Sequence, residues 1–425
     1  MLKLTSQTEW AERAHAVLPG GDFGNFGAGV VVRDGQGARV HDEDGNEYVD
    51  LLIGSGPMLL GHGHPEVLEA VYEQLPKGMT FFATNARGIE LAEEICSAVP
   101  CADQVRFVST GGEADMYAIR MARAFTGRDL ILKFEGGYHG MSAEAQMSLA
   151  PTQLVNFPQA VPDSGGIPES VRSEMLIAPF NDAEYLRSLL TEYGDRIAGI
   201  IVEPLQRIVP PVPGFLEAVR EEATKHGIVL IFDEVVTGFR LAYGGAQEKY
   251  AVVPDICTLG KIIGGGLPLA AIAGRADIMA HYDKTAVPRE KWLMQLGTLS
   301  GNPVAAAAGL KTMEILRRDG QYDALRAKGG RLQKTISGAL DDSGHDYRIV
   351  GDPTLFEIVF TGSEVRDYRD TFHGDAALLG KLNTVLRDKG VFKAPGKTYP
   401  CLALDESEFE IVSAAYNVGA KAIAQ

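Results

Sequence analysis

The stretch IVLIFDEVVTGFRLAYGGAQEKYAVVPDICTLGKIIGGGLP, residues 228–268, contains two short apolar runs that each end on a charged residue, Asp233 and Lys261. Runs of this length, apolar on both faces and separated by helical sequence, suit a parallel sheet covered by helices. Successive strands of such a sheet end on one rim, where open α/β sheets bind ligands, so the spacing predicts that both side chains reach one site. A lysine there can serve an aldehyde cofactor if burial and nearby positive charge keep its amine partly neutral. A carboxylate placed on a pyridinium nitrogen keeps that nitrogen protonated, so the ring can take up electrons when a substrate carbon loses a proton. Taken singly, Lys261 reads as a solvated lysine after a strand and Asp233 as a helix N-cap. The run Gly264-Gly265-Gly266-Leu267-Pro268 tips the balance, because backbone with so little side-chain bulk lets a flat ligand approach closely.

Outward from this stretch, VRFVS (105–109), LILKF (130–134), AGIIVE (198–203) and AAIAG (270–274) repeat the pattern between helical segments. They predict an α/β fold with a mostly parallel central sheet and helices on both faces. The sequence Ser109-Thr110-Gly111-Gly112-Glu113-Ala114 lies between a strand and the helix expected over Ala114 to Phe125. Unpaired backbone N–H groups at such a helix start suit a phosphate, although a plain turn reads the same way. Past LILKF, the loop Gly136-Gly137-Tyr138-His139-Gly140 places an aromatic ring where it can lie flat on a cofactor, the alternative being a loop tyrosine beside a surface histidine.

Before residue 65 the pattern is a short helix (Thr8 to Val17), the Gly-rich stretch Pro19 to Gly29, and strand-like runs at Val30 to Arg33, Ala38 to His41 and Tyr48 to Leu52. After Asn302-Pro303 an Ala-rich helix (Val304 to Arg318) leads to RIVG (348–351) and FEIVF (356–360) among further helices. The expected organisation is an N-terminal segment 1–65 joining a small domain, a large α/β domain 66–310, and a C-terminal α+β domain 311–425.

The 425 residues include 40 Lys+Arg against 56 Asp+Glu, a formal charge of -16 that disfavours nucleic acid and anionic membrane as partners. No run of apolar residues is long enough for a membrane span or a signal peptide, so a cytoplasmic protein is expected. Cys96, Cys101, Cys257 and Cys401 show no metal-ligand spacing and read as small buried hydrophobes, with no metal site expected.

Together, STGGEAD (109–115), FEGGYHG (134–140), VEP (202–204), DEVVTGFR (233–240), TLGKIIGGGLP (258–268) and GTLSGNPVA (297–305) resemble the class III aminotransferases of pyridoxal 5'-phosphate (PLP) fold type I. The order and spacing agree from about residue 30 to 310. DGNEYVD, GPMLLGHGHPEV and FTGRDLILKFEGGYHG look closest to the glutamate-1-semialdehyde 2,1-aminomutase branch. The resemblance implies PLP as cofactor, Lys261 as Schiff-base lysine and proton shuttle, and Asp233 on the pyridine nitrogen. Val235 and Tyr138 are implied on the two ring faces, Thr110, Gly111 and Gly112 at the phosphate, and Glu203 near the ring hydroxyl. Thr298 is similar to the threonine that reaches the phosphate of the partner subunit's cofactor, which implies a homodimer with shared active sites.

Departures from the family pattern concern the substrate. Gly112 replaces the threonine of the family's phosphate string, which leaves the phosphate to backbone donors. Val236 stands where the ornithine and 4-aminobutyrate branch has glutamine. Relatives with an arginine just after Pro-Gly-Gly use it for the substrate carboxylate, whereas this chain continues Asp22-Phe23-Gly24-Asn25-Phe26-Gly27 and has no arginine from there to Arg33. Arg240, Lys393 and Lys397 are the candidate replacements, and Phe23 and Phe26, with Met58, Phe81 and Phe82, are candidates for an apolar substrate pocket. The expected activity is transfer of an amino group from an amino acid or amine to a keto or aldehyde acceptor. The alternative is the intramolecular shift of an aminomutase; a non-catalytic binding protein is disfavoured by the presence of both Lys261 and Asp233.

Overall fold

The computed structural model describes residues 6–25 and 29–424. The chain forms two compact units, the smaller made of the part up to Pro65 with Asp323–Gly362 and the part from Gly374, the larger of Glu66–Tyr322 with Ser363–His373. In the smaller unit the helix Gln7–Val17 is followed by the antiparallel strands β1 (Val32–Gln36), β2 (Arg39–Asp42) and β3 (Glu47–Asp50).

The larger unit is built on a seven-stranded sheet of β4 (Gln104–Val108), β5 (Leu130–Phe134), β6 (Met175–Ala178), β7 (Ile197–Val202), β8 (Val229–Asp233), β9 (Ile256–Leu259) and β10 (Ala270–Gly274). Their spatial order is β4-β10-β9-β8-β7-β5-β6. Only β10 runs antiparallel to its neighbours, as the expected mostly parallel sheet allows. Every residue of β5, β7 and β8 is buried, which is why these strands read as continuous apolar runs rather than as alternation. The edge strand β6 was not anticipated, since four residues, MLIA, after a one-turn helix carry too little pattern. The helix Gly111–Thr126 covers the sheet with Ala114, Ala118 and Ala122, and a Cβ on Gly199 of β7 would meet that of Ala122 at 2.8 Å. Small residues on both sides therefore let helix and sheet approach closely.

The helix Pro303–Leu316, inside which the expected boundary at 310 falls, packs on the helix Ala86–Ala98 and on the turn Lys261–Gly264. The contact is tight: a Cβ on Gly309 would meet the Ile263 carbonyl oxygen at 2.0 Å. Ser363–His373 also belongs to this unit. There Arg369 makes a two-pronged ion pair with Glu135 (2.7 and 3.0 Å) and lies 4.0 Å over the Phe157 ring.

In the smaller unit, β13 (Val391–Phe392) adds parallel to β3, and β11 (Arg348–Asp352) pairs with β12 (Leu355–Val359). Lys393 is only 6% exposed, and its ammonium donates to Glu357 Oε2 (2.7 Å), Asn383 Oδ1 (3.0 Å) and the Ala394 carbonyl (3.0 Å). All three of its hydrogens are engaged, which removes Lys393 from the substrate candidates. Among the described residues, no helix is long and apolar enough to cross a membrane.

Candidate active site

The C-terminal ends of β4, β5, β7, β8 and β9 share one rim of the sheet. Asp233 closes β8 and stands beside Thr258 of β9 in register. Its Oδ2 lies 2.8 Å from Nδ1 of His139, and its Oδ1 accepts from the Val235 amide (3.1 Å) and, at 3.5 Å, from Thr258 Oγ1. Thr258 Oγ1 is closer to Asp115 Oδ1, at 2.6 Å. Asp115, His139, Asp233 and Thr258 are all buried. Burial, and after it the nearby Asp233 carboxylate, push the Asp115 carboxyl well above the usual carboxylate range, which favours its protonated form. The sequence reading admitted His139 as a surface residue; it is 1% exposed and is the principal partner of Asp233. Ninety-four residues separate the two, and no local pattern announces such a pairing.

Glycines bring the strand-end loops together. A Cβ on Gly111 would meet Val235 Cγ1 at 2.7 Å, and one on Gly260, just before Lys261, would meet the same atom at 3.2 Å. Gly112 and Gly140 touch through their backbones, a Cβ on Gly140 lying 2.3 Å from Gly112 Cα. The helix Gly111–Thr126 therefore starts at the convergence of three loops. Among the described residues, no acceptor takes the N–H groups of Gly111 and Gly112. Thr110 is the N-cap, its hydroxyl accepting from the Glu113 amide at 3.2 Å, so its side-chain oxygen serves the helix.

Lys261 is partly buried and begins a short 3-10 helix with φ at 49°, a region that L-residues avoid. A non-glycine residue there costs about 1–2 kcal/mol, and such strain persists where packing overdetermines the backbone. Tyr138 is half-buried, and its amide donates to Glu203 Oε2 at 2.9 Å. Behind it Lys133 of β5 is fully buried, donates to the Ala145 carbonyl at 2.7 Å, and is lowered to about 7 by burial.

The remaining candidates are dispersed. Arg240 is fully buried in the larger unit. Lys397 lies in the smaller unit at a tight bridge with Ala394, Phe23 is 83% exposed, and Phe26 lies outside the described residues. Phe81 and Phe82 are exposed on the larger unit rather than lining a closed pocket. Thr298 is exposed, with its carbonyl accepting from Thr80 Oγ1 at 3.3 Å.

A family model for class III aminotransferases matches residues 25–392, which span the rim and every loop that meets there. The chain belongs to the class III aminotransferases. As a member of that family it is a PLP-dependent enzyme that moves amino groups. Among solved structures, an omega-transaminase from Sphaerobacter thermophilus is 33% identical with a TM-score of 0.93, over 99% of this chain and 98% of that one. A β-phenylalanine aminotransferase from Variovorax paradoxus is 30% identical with a TM-score of 0.84, over 97% and 93% of the two chains. A glutamate-1-semialdehyde aminomutase from Pseudomonas aeruginosa PAO1 is 23% identical with a TM-score of 0.82, over 93% and 88%, a likeness of fold alone. The donor set of this class III aminotransferase suits PLP, since a helix start with two unaccepted N–H groups matches a phosphate and a histidine-bonded carboxylate matches a protonated ring nitrogen.

Proposed function

We propose that this aminotransferase holds PLP covalently through Lys261, with Asp233 on the ring nitrogen, Val235 and Tyr138 against the ring faces, and the amides of Gly111 and Gly112, beside Thr110, at the phosphate. Glu203, bonded to the Tyr138 amide, lies toward the ring hydroxyl. The observation that carries the reading is the 2.8 Å contact of buried Asp233 with buried His139, one strand away from Lys261 on the same rim. PLP supplies the electron sink that makes the substrate C–H acidic. The Lys261 amine takes up and returns that proton, while Asp233, oriented by His139 and the Val235 amide, directs its carboxylate at the ring nitrogen. Glycines at 111, 112, 140 and 260 let the loops that carry these residues converge.

The reading extends to a homodimer in which Thr298 reaches the phosphate site of the partner subunit. Its support is a groove of about 440 Å³ on the larger unit lined by the exposed Phe82, Ile89 and Leu296, with Phe81 and Leu299, their exposed neighbours in sequence, a surface of the kind that marks an interface. A cytoplasmic location belongs to the same reading and rests on the four free cysteines, which suit a reducing compartment.

The test is isotope transfer. Holoenzyme is incubated with a ¹⁵N-labelled amino donor and a keto acid, and both products are followed by mass spectrometry. Label appearing in the acceptor, with free keto product, is the expected result. Rearrangement of glutamate 1-semialdehyde with no release of keto product would instead show an aminomutase.

A further inference from the structure

The same rim carries a cation that the roles above leave unused. Arg207 follows β7 in a two-residue turn closed on both sides, Gln206 N donating to Val209 O (2.9 Å) and Val209 N to Gln206 O (2.8 Å). The Gln206 side chain anchors this turn to the Glu135 carbonyl at 2.7 Å. At the tip, Arg207 has φ at 60°, a position where two-residue turns normally place glycine. An arginine there strains the backbone, and strain of this kind is kept where the side chain has a task.

The turn directs the guanidinium over the Tyr138 ring, 5.2 Å from its centroid. Arg207 is partly buried, yet among the described residues no carboxylate or carbonyl accepts a hydrogen bond from it and no ion pair includes it. Other partly buried arginines of the larger unit, such as Arg123 and Arg369, are paired: Arg123 bridges Glu144 and Glu174, and Arg369 grips Glu135. A partly desolvated guanidinium lacking an anion is an unfinished interaction. Its planar fork matches a carboxylate bidentately. The stretch Pro19–Gly27 offers no arginine for that purpose.

We propose that Arg207 receives the carboxylate of the substrate, so that the enzyme takes amino acids and keto acids in preference to amines that lack a carboxylate. The proposal rests on the aminotransferase reading and names the substrate class of the same site. Arg207 acts on the substrate and leaves the chemistry to Lys261.

The test uses matched pairs that differ only in the carboxylate, such as β-phenylalanine with 1-phenylethylamine and alanine with ethylamine. Stopped-flow loss of the resting cofactor absorbance gives the half-saturating concentration for each, in wild type, Arg207→Met and Arg207→Lys. Resting spectrum, cofactor content and circular dichroism confirm that the variants fold and load. The expected result is a rise of at least about tenfold for the amino acids in Arg207→Met, within the range for a lost charge-assisted hydrogen bond, with the amines unchanged within about twofold. Arg207→Lys should fall between. Calorimetry with 3-phenylpropanoate, which has the carboxylate and no amine, should show binding to wild-type holoenzyme and none to Arg207→Met. Equal effects on both members of a pair would show that Arg207 only props Tyr138 and would overturn the proposal, as would no effect on either or a wild type that reacts with the amines alone. A wild type that reacts with no member of the panel would overturn the aminotransferase reading and this proposal with it.

Discussion

Asp233 makes sense only with its neighbours. Its carboxylate is held in place by His139, at 2.8 Å, while Asp115, 2.6 Å from Thr258, is the acid whose protonated form burial favours. Asp115 has its carboxyl raised by burial, so folding binds a proton there that the unfolded chain releases above the ordinary aspartate range. Its contribution is therefore present at low pH and is lost as pH rises toward the raised value. Asp115→Asn, which keeps the shape and removes the titration, should be neutral or stabilising at pH 7, with its advantage over wild type growing from about pH 4 upward. Urea denaturation at a series of pH values checks this, and a variant that loses stability uniformly with pH would contradict it. None of this network was visible in the sequence beyond Asp233 itself. Residues 115, 139, 233 and 258 come from four elements, and nothing in the spacing of Asp115 or Thr258 sets them apart from ordinary core or helix residues.

The strands tell the opposite story. β5, β7, β8 and β9 were legible because burial on both faces writes itself as unbroken apolar sequence, and that also fixed the rim on which their ends fall. β6 and β13, four and two residues long, are too short to leave such a trace. Nor did the pattern explain the lysine inside LILKF. Lys133 is fully buried with its ammonium lowered from 10.5 to about 7, so it is a destabilising element of β5 that the unfolded chain does not share. Because the unfolded state holds the proton longer, wild-type stability should rise between about pH 7 and 10.5 relative to Lys133→Met. Below pH 7 the difference should flatten, with the variant more stable by roughly a few kcal/mol. Parallel denaturation curves at pH 7 and 9 test the sign. Lys393, a candidate cation for the substrate carboxylate by sequence, is engaged with buried Glu357, a pairing across 36 residues that no local pattern announces. Arg207 is illegible in the sequence for the complementary reason, since only the turn geometry and the nearby Tyr138 ring distinguish it from a surface arginine.

At the scale of the whole molecule, the larger unit carries the seven-stranded sheet and the smaller one a four-stranded and a two-stranded sheet, and the residues proposed for the site all lie within the larger unit. That unit also exposes Phe81, Phe82, Leu296 and Leu299 in a surface that water alone covers poorly. A dimer formed through it should be disrupted by Leu296→Glu. Sedimentation velocity is expected to show a dimer for wild type and monomer for the variant, with activity falling in step if Thr298 serves the partner subunit; a monomeric, fully active wild type would refute the shared site. The central claim concerns Lys261, and borohydride reduction of the holoenzyme followed by peptide mapping tests it most directly. A phosphopyridoxyl group on the peptide carrying Lys261, and no fixed cofactor in Lys261→Ala, is the predicted result. Label on another lysine, or an unchanged reducible absorbance band in Lys261→Ala, would contradict the account.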